Sequence, residues 1–229
     1  MKYITEITIR ILYIFILFLC LPLSARTDLI EYDNIASSIF WDELYTYGGW
    51  TLYCGYRFES DKKIGESRSV TIEHIYPTDL MIEQLGCNSR MQCRESGNKK
   101  FTRMEADMHN MYPVWQALVT HRYRREYGII EGEEWRFSDC DIEWQGNVLE
   151  PRPLARGNIA RALLYMYKQY NLYLDPGIII LLGEWNRADP PSNQEIERNN
   201  RIEALQGVRN QFIDNPSKVD QIVKSIKKK

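Results

Sequence analysis

The dipeptide Glu73-His74 ends an alternating run, and Met104-Glu105-Ala106-Asp107-Met108-His109-Asn110 follows further along the chain. An acid, an imidazole and an amide in this order are the side chains that phosphodiester hydrolysis requires. One divalent metal polarises the phosphoryl oxygen and stabilises the leaving oxygen, while a separate base deprotonates water. Mg²⁺ takes oxygen ligands and keeps several waters, so one carboxylate and one amide oxygen suffice as protein ligands. Glu73 and Asn110 meet that need, and His74, left off the metal, is a general base near neutral pH. Adjacent strand residues point to opposite faces, so Glu73 and His74 share a site only where the strand ends or bends. Ile75-Tyr76-Pro77 supplies such an end. On its own the pair is a weak signal, since a surface carboxylate beside a satisfied core histidine is the commoner occurrence.

The elements that must position these residues follow from periodicity and punctuation. Ile35, Ile39 and Phe40 recur at helical spacing within 29–45, and Gly48-Gly49 breaks that helix. Thr51 to Phe58 reads as a strand, and Ser69 to Glu73 as a second strand that Pro77 stops. Residues 83–102 are polar, with Gly86, Asn88, Gly97 and Asn98, and read as a long loop stapled by cysteines. Pro113 marks the start of a helix over 114–126, and a stronger helix begins near Ala155 with Ile159, Leu163, Met166 and Tyr170 on one face. Asp175-Pro176 caps and starts another; Ser192 with Glu195 forms a capping box for a third, which Gly207 ends. Val219, Ile222, Val223 and Ile226 mark a last short amphipathic helix. The expected class is α+β, a small early sheet with helices packed around it.

The chain has 229 residues, enough for one substantial core. Lys2 and Arg10 precede an apolar run from Ile11 to Leu21, followed by Pro22 and the small pair Ser24-Ala25. This is the pattern of a secretory signal peptide over 1–25, leaving residues 26–229 as a single domain. The apolar run is short for a membrane anchor, and bulky Leu19 before Cys20 argues against lipidation. Export to a periplasm or outside the cell leaves Cys54, Cys87, Cys93 and Cys140 in an oxidising setting, where four thiols read as two disulfides. Three pairings are possible; one that closes the short Cys87–Cys93 loop leaves Cys54 with Cys140. The spacings are not those of paired CxxC zinc sites. With 29 Lys+Arg against 31 Asp+Glu, the chain is slightly acidic, and losing Lys2, Arg10 and Glu6 with the leader keeps it so. Tight binding to nucleic acid must therefore come from a local patch.

Thr71-Ile72-Glu73-His74-Ile75-Tyr76-Pro77 followed by Met104 to Pro113 resembles the bacterial endonuclease I family of secreted, metal-dependent nucleases. Leu52-Tyr53-Cys54-Gly55, Arg90-Met91-Gln92-Cys93, the run from Glu150 to Arg161, Leu164 to Leu172 and Ile202 to Gly207 continue the likeness in order, over roughly 45–215. The resemblance implies a ββα-metal (His-Me finger) core wrapped by helices, and hydrolysis of DNA, often also RNA, with little sequence preference by a monomer. It implies His74 as general base, Glu73 and Asn110 as ligands of one Mg²⁺, with Mn²⁺ or Ca²⁺ as substitutes, and Arg90 as the cation steadying the cleaved phosphate. A fixed charge on a planar fork suits that last role. His109, Glu105 and Asp107 are expected as supporting or capping groups. Arg122, Arg156, Arg161 and Lys99 are candidate phosphate contacts, each more simply an exposed cation. The chain departs from the family at Val119, where an asparagine is usual three residues before Arg122, and at Tyr56 and Ile196, where relatives often carry cysteines. The valine motivates an alternative, a catalytically weakened secreted protein that binds nucleic acid without cutting it.

Overall fold

A computed structural model describes residues 32–123 and 125–228; the leader expected over residues 1–25 lies outside them. One α-helical turn, α1 (Tyr32–Asn34), runs into a π-helical segment, Ile35–Leu44, that buries Ile35, Phe40 and Leu44. The strand expected from Thr51 to Phe58 is instead a hairpin. Its arms, β1 (Gly49–Trp50) and β2 (Arg57–Phe58), pair antiparallel. The composition is that of a strand, but Thr51 Oγ1 accepts the Tyr56 amide at 3.0 Å and Gly55 adopts φ 66°, which turns the chain back.

A second hairpin joins β3 (Lys63–Ile64) to β4 (Arg68–His74), and β4 carries the alternating run as expected. The polar stretch that follows is not a loop. It holds three short helices, α2 (Thr78–Gln84), α3 (Arg90–Glu95) and α4 (Lys99–Glu105). Ser89 and Asn98 accept the amides of Gln92 and Phe101, so the polar residues that suggested a loop are helix caps. The cysteine staple itself is present, Cys87 joined to Cys93 and Cys54 to Cys140.

The chain returns to β4 as β5 (Met111–Trp115), with Glu73 opposite Tyr112 and His74 opposite Met111. Pro113 thus lies inside a strand and does not open a helix. Its carbonyl accepts Leu52 N–H at 2.9 Å on the side away from β4, so its missing N–H removes no ladder bond. Helical structure begins only after β5, as a 3₁₀ turn, Gln116–Leu118, leading into α5 (Val119–Arg122). A third sheet, unanticipated from the sequence, follows: β6 (Glu126–Tyr127) lies parallel to β8 (Val148–Pro151), and β7 (Ile142–Gln145) lies antiparallel to β8.

The C-terminal half matches its sequence signals closely. The long buried helix α6 (Pro153–Tyr170) starts on a proline, α7 (Pro176–Ala188) is capped by Asp175, and α8 (Asn193–Gln206) ends at Gly207 with φ 78°. Two short helices close the chain, α9 (Gln211–Asp214) and the amphipathic α10 (Lys218–Lys227). The capping box is half formed. Ser192 Oγ accepts Glu195 N–H at 3.2 Å, but the Glu195 carboxylate turns inward to Arg161 on α6. The core runs from β4 and β5 through α6 to α7, and the small sheets and helices together make an α+β architecture.

Candidate active site

His74 is the last residue of β4 and is 9% exposed. Its Nε2 lies 2.8 Å from the Glu105 carbonyl. A carbonyl only accepts, so Nε2 carries the proton and Nδ1 keeps its lone pair. Burial lowers the imidazole pKa, and the Arg90 charge lowers it further against the Glu105 carbonyl bond, which raises it. The ring is therefore neutral around pH 7, a base rather than an acid. Tyr32 packs against it at 5.3 Å between ring centroids.

Arg90 opens α3, where the Ser89 cap and the Cys87–Cys93 bridge fix the start of the helix. Its Nε donates to Glu105 Oε1, and Arg94 Nε donates to Oε2 at 2.7 Å. The Glu105 side chain is 1% exposed, whereas that of Arg90 is 44% exposed. Arg90 is thus tied at its root and open at its tip, with its guanidinium 4.6 Å from the Tyr32 ring. Glu105 orients both groups, His74 through its carbonyl and Arg90 through its carboxylate. Sequence reasoning placed Glu105 among supporting groups without identifying this double contact, because the contact spans α3, α4 and β4.

Glu73 precedes His74 on an unbroken strand, so the pleat sends its side chain to the other face. There its carboxyl is pushed up to about 7 by burial, and the Arg122 guanidinium opposes that rise. Arg122 is itself buried, 4.2 Å from the Tyr127 ring, and the Tyr127 hydroxyl lies 2.8 Å from that of Tyr53. Glu73 is half-buried, and a cation placed beside it would favour its ionised form. Val119 stands one turn before Arg122 on the same face of α5, so an apolar group occupies the helix surface that Arg122 shares.

Asn110 is fully buried, and its amide is spoken for at both ends. Oδ1 accepts Tyr76 N–H at 2.6 Å, and Nδ2 donates to the Tyr76 carbonyl at 3.0 Å. In this geometry Asn110 closes the turn after β4.

Lys99 is exposed at the start of α4, and the other candidates are engaged within the protein. Asp107 accepts from His109 N–H, Gln206 Nε2, Tyr165 Oη and Tyr170 Oη at 2.7–2.9 Å, and His109 Nε2 lies 2.9 Å from the Val208 carbonyl. Arg161 and Arg122 are neither exposed cations nor phosphate contacts: both are buried, Arg161 against Glu195. Arg156 pairs with Glu150 at 2.6 Å. A grouping not visible in the spacing brings ligand atoms of Glu133, Asp141 and Glu143 within 4.8 Å of one another.

Comparison with known proteins bears on this geometry. The family model for endonuclease I matches residues 24–217. An extracellular deoxyribonuclease of Aeromonas hydrophila is 33% identical over 167 residues, covering 70% of this chain and 72% of its own. A periplasmic deoxyribonuclease of the same organism is 34% identical over 168 residues, covering 70% and 69%. Endonuclease-1 of Buchnera aphidicola subsp. Acyrthosiphon pisum is 28% identical over 165 residues, covering 70% and 64%. The extracellular and periplasmic locations of the Aeromonas proteins agree with export, and among the described residues no helix is long and apolar enough to cross a membrane. With a neutral buried histidine and an open arginine held by one glutamate, and with a family match over residues 24–217, the protein belongs to the endonuclease I family.

Proposed function

We propose that the protein is an exported, monomeric endonuclease that hydrolyses phosphodiester bonds of DNA, and also of RNA, with little sequence preference. In this reading β4, β5 and the helical segment 116–122 form its ββα-metal (His-Me finger) core. The observation that carries it is Glu105 holding the neutral His74 with one group and Arg90 with another.

His74 Nδ1 takes a proton from water as that water attacks phosphorus, while Nε2 stays bonded to the Glu105 carbonyl and keeps the ring oriented. Arg90 holds a non-bridging phosphate oxygen with the exposed part of its fork, and its charge matches the negative charge that grows there. Glu73 is the carboxylate offered to one divalent cation, Mg²⁺ or in its place Mn²⁺ or Ca²⁺; its side chain leaves β4 on the face opposite His74, so the two reach one phosphate only where the chain turns at Ile75-Tyr76-Pro77. Bound there, such a cation supplies positive charge to the phosphoryl and leaving oxygens. Asn110 would join Glu73 as a second ligand through the Oδ1 lone pair that the Tyr76 N–H leaves free.

Incubating oxidised, leader-free protein with supercoiled plasmid and Mg²⁺ tests this. The expected result is nicked and then fragmented DNA, with activity lost on chelation and in His74→Ala. Intact plasmid, or an unchanged rate in His74→Ala, refutes it. A second reading, a weakened nuclease that binds without cutting, is favoured by Val119 and by the engaged Asn110 amide. Retention of plasmid in a gel shift with metal present but no cleavage would establish that reading instead.

A further inference from the structure

A cleft of about 490 Å³ lies where the β1–β2 hairpin meets the start of α8. Its wall includes Arg152, Arg198 and Arg201, the exposed ring of Trp50, and Ser192 and Asn193 at the N-terminus of α8. Neither His74 nor Arg90 borders it. Two acids also line it, but Glu195 is committed to Arg161, which leaves Glu197 against three guanidiniums. Arg198 is 91% buried, being 9% exposed. Its Nε donates to Tyr45 Oη at 3.0 Å and its Nη2 to the Met108 and Met111 carbonyls at 2.6 and 2.5 Å. Nη1 has no partner. The guanidinium stands 4.2 Å from the Tyr112 ring, which does not replace the missing acceptor, and Arg198 borders the cleft. The α8 N-terminus, fourteen residues long, adds its dipole and unpaired amides to the same space. Trp50 is 48% exposed at the cleft, with the Arg57 guanidinium 5.9 Å from its ring centroid.

We propose that this cleft binds one nucleotide unit of a single strand, its phosphate held by Arg198, Arg201 and the α8 N-terminus and its base stacked on Trp50. Cations beside an exposed indole are the combination that grips a single strand without reading its sequence. The use of the site, holding a strand away from the cut bond, rests on the nuclease reading; the binding itself does not. Tyr112, which also lines the cleft, sits on β5 opposite Glu73, so the cleft adjoins the strand pair that bears the reacting groups.

Calorimetric titration of the leader-free protein in chelator, with inorganic phosphate and with deoxyadenosine 5′-monophosphate, tests the proposal without any cleavage. Both should bind saturably, the nucleotide about tenfold more tightly because of the base. Trp50→Ala should erase that difference and leave phosphate binding intact. Arg201→Ala, at a partly exposed position that leaves the core untouched, should weaken both ligands about tenfold. Absence of saturable binding, or equal affinities in the parent, Trp50→Ala and Arg201→Ala, overturns the proposal. Nucleotide binding by a protein that cuts no plasmid would leave this site standing and remove the nuclease reading.

Discussion

The pleat of β4 gives Glu73 and His74 separate surroundings, and their protonation follows from that. His74 is held neutral by burial, so its loss of protons does not limit the rate near pH 7. In the proposed mechanism Glu73 limits it. Its folded pKa of about 7 lies above the ordinary 4.5, so the folded chain holds this proton more tightly than the unfolded one. The ionised carboxylate consequently costs stability above pH 7, and that cost disappears below 4.5. A cation on Glu73 competes with the proton. Two outcomes are expected: Mg²⁺ should raise the melting temperature more at about pH 8 than at about pH 5.5, and the acid limb of cleavage should move to lower pH as Mg²⁺ rises. A limb that ignores metal concentration would place the titrating group elsewhere. Glu105→Gln keeps the carbonyl that orients His74 and weakens the anchor of Arg90. Misplacing a positioned group by about 1 Å costs on the order of a hundredfold, so turnover of the folded protein should fall by about that much, and the melting temperature should fall too because Glu105 also holds Arg94. The residue types of this site were legible in the sequence. That Glu105 joins two of them, and that Tyr76 engages Asn110, was not, because both depend on contacts between residues distant in the chain, two of them to main-chain atoms.

Elements were legible where their signals are local. Asp175, Ser192 and Gly207 mark their helix ends correctly because a cap acts within three or four residues. The strand expected over Thr51 to Phe58 and the helix expected after Pro113 failed for the opposite reason. Each is decided by a partner distant in the chain: β5 exists because β4 is there to pair with it. The two disulfides separate along the same line. Cys54–Cys140 closes a separation of 86 residues and Cys87–Cys93 one of 6, worth about 4–5 and about 2 kcal/mol in chain entropy. Replacing Cys54 and Cys140 with serine should lower the melting temperature more. Replacing Cys87 and Cys93 should cost less stability and more activity, because that bridge lies on the helix that carries Arg90. Plasmid cleavage and thermal unfolding of the two double variants separate these effects; equal losses in both assays would count against a role for the short bridge in the site.

Across the whole molecule, the acidic balance is reconciled with a nucleic-acid substrate by burying or pairing charge unevenly. Arg161 and Glu195 lock α6 to α8 inside the core, where neither contributes to the outer field. Arg161→Ala should cost about 3–5 kcal/mol, since it leaves a buried carboxylate without its partner, and denaturant unfolding measures this directly. Arg161→Met with Glu195→Leu should recover much of that loss. Open cations remain near the reacting groups and around the cleft at α8, so affinity for DNA should fall steeply with salt despite the net charge of −2.

Tyr32, the first residue described, rests on both the His74 ring and the Arg90 guanidinium. Its place in the chain is a few residues beyond the expected cut of the leader. A purification tag fused there, or a leader trimmed at a different bond, therefore becomes a kinetic variable. Preparations that differ only in where they begin should differ in turnover before they differ in melting, and a uniform N-terminus is the first quality standard for any assay of this enzyme.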